Sequence, residues 1–320
     1  MQTQTSVEAF WHPRYWHTWA GLALLRLLAV LPNRVVWFIG AGLGELLHLL
    51  YRDRRRIVEV NLGICFPDRS VRERRLLARR HFRAFGQGLI GIGIAWWTPA
   101  KRLERMVRFR NREHYDAALA AGRRTILFAP HFLAIDIGGL AISRERPICT
   151  MYRHVKNPLI DRVTYRARVR FGALAVDRRE GLRAAIRHIE RGLPFYYLPD
   201  QDLGRKHSVF APFFGVPTAT VPALGRVAKI TKAAVIPCIT RQLPRGAGYE
   251  VVFKEPLDNF PTGDPEADAQ RMNQEIEKAV LEFPEQYIWV HKRFKTRPPG
   301  EKRLYFDKRT KRRLARRAGN

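Results

Sequence analysis

The chain has 320 residues, 46% of them hydrophobic, which is enough for a real core and too many for a disordered segment. Lys and Arg number 58 against 29 Asp and Glu, a net charge of +29, and self-repulsion on that scale is best tolerated beside an anionic partner: nucleic acid, anionic lipid or an acidic carrier protein. Three dispersed cysteines, Cys65, Cys149 and Cys238, with no CxxC spacing, argue against a disulfide framework and for a reducing compartment.

The N-terminal stretch is oily. "TWAGLALLRLLAVLP" (Thr18 to Pro32) is broken only by Arg26, and "VVWFIGAGLGELLHLLY" (Val35 to Tyr51) only by Glu45 and His48. Neither reaches the roughly 20 clean apolar residues of a spanning helix. Both are too apolar for a water-facing surface, and Trp11, Trp16, Trp19 and Trp37 suit a membrane interface. Gly40, Gly42 and Gly44 would allow close helix contact. "RDRRR" (Arg52 to Arg56) follows, and by the positive-inside rule it stays cytoplasmic with everything after it. Residues 1–56 therefore read as a membrane anchor and basic flank, as one span or as a hairpin. The rival readings are core helices of a soluble protein, or a signal peptide, which an arginine in the apolar region and a missing A-x-A site oppose.

Residues 57–300 are expected to form the main domain and 301–320 a basic tail. From Ser70 to Trp97 the pattern is helical. Strands are predicted at Thr125–Ala129, Ile148–Tyr152, Phe195–Leu198, Ala234–Ile239 and Tyr249–Phe253. Helices are predicted at Ala134–Ser143, Pro158–Val169, Arg179–Arg191, Ala219–Ile230 and Pro265–Phe283. This alternation predicts an α/β fold with a largely parallel central sheet flanked by helices. Ligands then sit at the carboxyl ends of strands.

"FAPHFLAIDIGG" places His131 and Asp136 at such an end. A histidine is a credible general base near neutral pH, and a carboxylate on its other nitrogen would orient it and stabilise its charged form. Positions i and i+5 do not share a helical face, so the two meet only if His131 lies on an irregular turn. Other strand ends supply "RHVKNP" (Arg153, Lys156, Asn157) and "PDQDLG" (Asp200, Gln201, Asp202). "VFAPFFGVPTAT" reads as an oily aromatic loop holding Phe213, Phe214 and Gly215, and Pro237 marks a strand end or bulge. Basic groups for a phosphate, an oily loop for a chain and a His/Asp base fit together as one substrate-binding site. A metal hydrolase built on His131, Asp136, Asp200 and Asp202 has no defensible ligand spacing. A nucleic-acid-binding protein would interleave aromatics with its basic residues, which this chain does not.

His131-x4-Asp136 resembles the H-x4-D/E signature of the glycerolipid acyltransferase superfamily. The chain is most similar there to the lipid A late acyltransferases, the lauroyl and myristoyl transferases of Gram-negative bacteria. The resemblance runs from about Leu27 to Pro298 and rests on "NLGICFPD", "APHFLAIDIGG", "YRHVKNPLID", "LPDQDLG", "PFFGVPTAT" and "YIWVHKRFKTRP". Two departures are Asp136, where many members carry Glu, and His154, where proline is frequent. The resemblance implies an acyltransferase needing no cofactor and no metal. It implies acyl carrier protein as donor, a hydroxyl of a phosphorylated lipid A precursor as acceptor, and the cytoplasmic face of an anionic bacterial inner membrane as location, with no nucleic acid. His131 would take the hydroxyl's proton and Asp136 would brace His131. Backbone N–H groups after His131, Arg153 or Arg178 would hold the oxyanion. A lysophospholipid or another hydroxylated lipid is the alternative acceptor.

Overall fold

A computed structural model describes residues 10–305; most of the basic tail therefore lies outside the described residues. Three helices open the chain: α1 (Trp16–Val30), α2 (Asn33–Leu50) and α3 (Arg52–Cys65). A long α4 (Val71–Trp97) follows. It starts at a capping box in which Ser70 Oγ accepts from the Glu73 N–H and Glu73 accepts from the Ser70 N–H. Then come α5 (Ala100–Met106), β1 (Val107–Arg110), α6 (Glu113–Ala120), β2 (Thr125–Phe128), α7 (Ile135–Glu145), β3 (Cys149–Tyr152), α8 (Pro158–Val169) and β4 (Leu174–Asp177). The chain continues through α9 (Leu182–Glu190), β5 (Phe195–Tyr197), β6 (Val209–Phe213), β7 (Val216–Thr220), α10 (Ala223–Thr231), β8 (Ala234–Gln242), β9 (Tyr249–Phe253) and α11 (Pro265–Glu282).

Seven strands form one sheet in the order β1-β9-β8-β2-β5-β3-β4. All pairings are parallel except β8 with β9. Both faces are covered, so the central strands read as continuous apolar runs. Alternation splits the core in two. Ile126, Phe128, Phe195, Tyr197, Val235 and Ile239 join one cluster with residues of α3, α9, α10 and α11. Leu127, Ala129, Tyr196, Ile236 and Cys238 join the other with residues of α6 and α7. The cysteines are free and buried, as small hydrophobes, and burial pushes the Cys149 thiol up to about 12.

Three sequence expectations change. β1 and β4 are additional edge strands. The aromatic "loop" is a hairpin, β6 against β7, with Pro212 opposite Pro217, and Phe214 and Gly215 turn it at φ 49° and 73°. The start of the predicted helix 219–230 therefore belongs to β7. Pro237 is neither an end nor a bulge but a point of exchange. Parallel pairing of β8 with β2 stops at Pro237, and antiparallel pairing with β9 starts at Cys238.

Glycines bring α2 and α4 together. A Cβ on Gly86 would stand 2.2 Å from the Gly40 carbonyl oxygen, and one on Gly44 would stand 2.1 Å from that of Phe82. Gly42 faces open space. Leu24, Leu27 and Val30 of α1 and Phe38, Leu46, Leu49 and Leu50 of α2 stay exposed. Among the described residues no single helix is long and apolar enough to cross a membrane; α2 and α3 pass that test only as a pair bent by 94°.

Candidate active site

β2 and β5 are neighbours in parallel register, with Phe128 opposite Tyr197. His131 and Asp200 each lie three residues further on, so the register brings them abreast. The Asp200 carboxylate accepts from the His131 backbone N–H at 2.8 Å, and a short hydrogen bond joins it to His131 Nδ1. Asp200 is 1% exposed. Burial favours its neutral form, but the His131 charge, the His131 hydrogen bonds and Arg293 outweigh it and hold the carboxyl at about 2. With the Nδ1–H donated to this carboxylate, Nε2 carries the lone pair. The side-chain amide of Gln201 donates to it at 3.0 Å.

The carboxylate at the histidine is thus Asp200, where the sequence suggests Asp136. The i,i+5 spacing explains the difference. His131 sits on the turn before α7 while Asp136 is in its first turn, where it accepts from Arg168 of α8 at 2.8 Å. That carboxylate raises the guanidinium's pKa against the cost of burial. His131, Asp136 and Arg168 line the same cavity.

The turn is held from outside. The Leu133 N–H donates to the Gln286 carbonyl at 3.0 Å, the Ile288 N–H donates to the His131 carbonyl at 3.1 Å, and Phe132 bridges to Tyr287. Gln286 exchanges hydrogen bonds with Gln242 at the end of β8, and Gln242 reaches the Ala84 carbonyl on α4. The segment 287–294 is fixed in turn. Asn61 of α3 donates to the carbonyls of Trp289 and His291 at 2.7 and 2.9 Å. Buried Arg293 donates to the Ala219 carbonyl, Thr220 Oγ1 and Asn273 Oδ1. Three of the sequence motifs are therefore the wall behind the histidine.

A cavity of about 1010 Å³ opens at these strand ends. It straddles the edge of the sheet. On one face it runs past Ile135, Gly139, Leu140, Thr150, Tyr196 and Ala173 to Ile148. Tyr152 to Ile148 is about 13 Å of strand at about 3.3 Å per residue. On the other face it touches Met151, Leu182, Tyr197, Val221 and Ala223. His131, Gln201, Arg153 and Arg178 line it as well, with His207, and Lys206 and Arg226 add charge.

Of the predicted substrate-binding residues, Arg153, Arg178 and Gln201 line the cavity, and Asp200 lies beneath His131. The rest do not line it. Asn157 caps α8, accepting from Leu159 N–H and Ile160 N–H, and donates to Thr18 of α1. Lys156 is exposed beside it. Asp202 is buried under the 295–296 turn, accepting from the Thr296 N–H at 2.7 Å and its hydroxyl at 2.8 Å. Phe213 packs on Tyr287 and Phe294, while Phe214 and Gly215 form the hairpin turn. Tyr196, Arg168 and Leu140, unremarked in the sequence, do line the cavity. Only the strand order and register could have revealed them.

Residues 4–296 match the sequence model of a family described as bacterial lipid A biosynthesis acyltransferase. The chain belongs to that family. It is 37% identical over 293 residues to a lipid A biosynthesis lauroyltransferase of Escherichia coli (strain K12), covering 91% of this chain and 95% of that one. A palmitoleoyltransferase of the same organism is 34% identical over 297 residues (92% and 96%). A myristoyltransferase is 32% identical over 299 (93% of each). The protein is an acyltransferase, and His131 stands at the crest of its two-sided apolar cavity.

Proposed function

We propose that this acyltransferase moves a fatty acyl chain from acyl carrier protein to a hydroxyl of a phosphorylated lipid A precursor, at the cytoplasmic face of the inner membrane. One observation carries the reading. The imidazole has Nδ1 fixed on a buried carboxylate, and Nε2 turned toward a cavity with an oily slot on each side and arginines at its rim. The acceptor's 3-hydroxyacyl hydroxyl displaces the Gln201 amide and gives its proton to Nε2. Asp200 stabilises the imidazolium. The hydroxyl oxygen attacks the thioester carbonyl, and the tetrahedral intermediate collapses to an ester. The departing thiolate then takes the proton back from His131. No acyl-enzyme is needed. The N–H groups from His131 to Leu133 and that of Ile135 already donate within the protein, which makes Arg153 and Arg178 the stronger candidates for the oxyanion.

The buried end at Leu140, Ile148 and Ala173 suits the donor's hydrocarbon, and the basic side by Arg178 and Arg226 suits the anionic acceptor. Acyl carrier protein is itself acidic, in keeping with the chain's positive charge. The test is transfer of a labelled acyl group from acyl carrier protein by purified protein, offered the phosphorylated disaccharide lipid and a lysophospholipid side by side. Label should enter the disaccharide lipid, and His131→Ala should lower the rate by about 10²–10⁴-fold. Label only in the lysophospholipid overturns the acceptor, and an unimpaired His131→Ala overturns the mechanism.

A further inference from the structure

The loops after β3 and β4 each bring an arginine to the cavity rim, and one histidine joins them. Tyr152 pairs with Asp177 in register, so Arg153 and Arg178, one residue on, stand side by side. His154 follows Arg153. Its Nδ1 lies 2.7 Å from Asp161 Oδ2, and its Nε2 lies 3.3 Å from Asp177 Oδ2. Ionised carboxylates only accept, and a neutral imidazole has a single N–H. The Nδ1 contact is a hydrogen bond, and the Nε2 contact is an ion pair that exists only for the imidazolium.

The acids are fixed from other directions. Asp161, in the first turn of α8, also accepts from Tyr152 Oη at 2.8 Å and from the Val155 N–H at 2.7 Å. Asp177 pairs with Arg179 at 2.6 Å. Burial opposes ionisation of Asp161, yet its hydrogen bonds prevail and lower its pKa. Arg179, chiefly, holds Asp177 at about 2. Both carboxylates therefore stay charged from about pH 5 upward. Other charged groups nearby are Arg153 and Lys156 on its own loop, Arg168 across the Tyr152 ring with its partner Asp136, and Arg178, next to Asp177 in the chain.

We propose that His154 is a positioning residue, an imidazolium clasp that ties the β3 and β4 loops together and so holds Arg153 and Arg178 side by side for the acceptor's phosphate. Loss of its proton turns a lone pair on one of the two carboxylates and lets the loops part. The inference rests on the reading of the cavity as the site of a phosphorylated acceptor. His154 touches no reacting atom, so it governs acceptor affinity rather than the chemical step.

The experiment is binding of the phosphorylated disaccharide lipid in detergent to full-length protein silenced by His131→Ala, at about pH 5 and about pH 8. Affinity should fall about tenfold as pH rises, and less than about twofold when His154→Gln is added. The phosphate becomes more anionic over this range, which on its own would tighten binding to arginines, so the expected sign cannot come from the ligand. In the active protein, compared at the single lower pH, His154→Gln should raise the acceptor KM while kcat changes by less than about twofold. His154 is 40% exposed, so the substitution leaves the fold intact. Equal pH slopes with and without His154→Gln overturn the clasp and leave the acyltransferase reading standing. No binding at either pH overturns both.

Discussion

At Asp200, buried and ionised with a carboxyl held at about 2, a single amide substitution tests the catalytic pairing. A carboxamide in its place would offer an N–H to Nδ1 and push the imidazole toward the tautomer with its proton on Nε2, where it cannot act as a base. Asp200→Asn should lower kcat by about 10²–10⁴-fold with a much smaller effect on KM, measured by steady-state transfer. Added to His131→Ala, it should cost almost nothing more, because the two residues act as a unit. Additive losses would separate them. Asp136 should instead couple to Arg168, its partner at 2.8 Å, in the same kind of double-mutant cycle.

Among the elements, the contact of α2 with α4 makes the sharpest contrast. Gly86→Ala drives a methyl into the Gly40 carbonyl, and should destabilise by about 1–3 kcal/mol or more. Gly42→Ala, in open space on the same helix pair, should be neutral or stabilise by up to about 1 kcal/mol through helix propensity. Thermal unfolding of the two variants checks this, and similar Tm shifts would refute the glycine seam. The sequence shows Gly40 and Gly44 as small residues but not α4 as their partner. The five central strands are legible because burial on both faces leaves unmistakable apolar runs. β1, "VRFR", and β4, "LAVD", are short edges with charge in the run. β6 and β7 carry prolines, and their turn starts on a phenylalanine rather than the Asn-Gly or Asp-Gly that signals a hairpin. His131, Arg153 and Gln201 are visible as polar groups after strands, whereas Arg178 follows β4 and is not. The pairing of His131 with Asp200 is not, because β2 and β5 become neighbours only through a strand order that no local pattern encodes.

On the scale of the whole molecule, α1 and α2 leave leucines exposed, and the arginines that open α3 follow them directly in the chain. On the membrane reading, replacing Leu27, Phe38 and Leu49 together by Ser should lower co-sedimentation with anionic vesicles by at least about tenfold. Raising salt should weaken the wild type's binding as well. Unchanged sedimentation of the triple variant would refute that face. The glutamines behind the histidine give the arrangement a stiffness of its own. Gln242 and Gln286 link α4, which is locked to α2, to the turn bearing His131. On the membrane reading, the helices that would rest on lipid and the imidazole share one hydrogen-bonded frame, which would set the ring's altitude above the bilayer. A lipid still rooted by its other chains would then have to be lifted to that altitude, and whichever of its hydroxyls arrived level with the ring would be the one esterified.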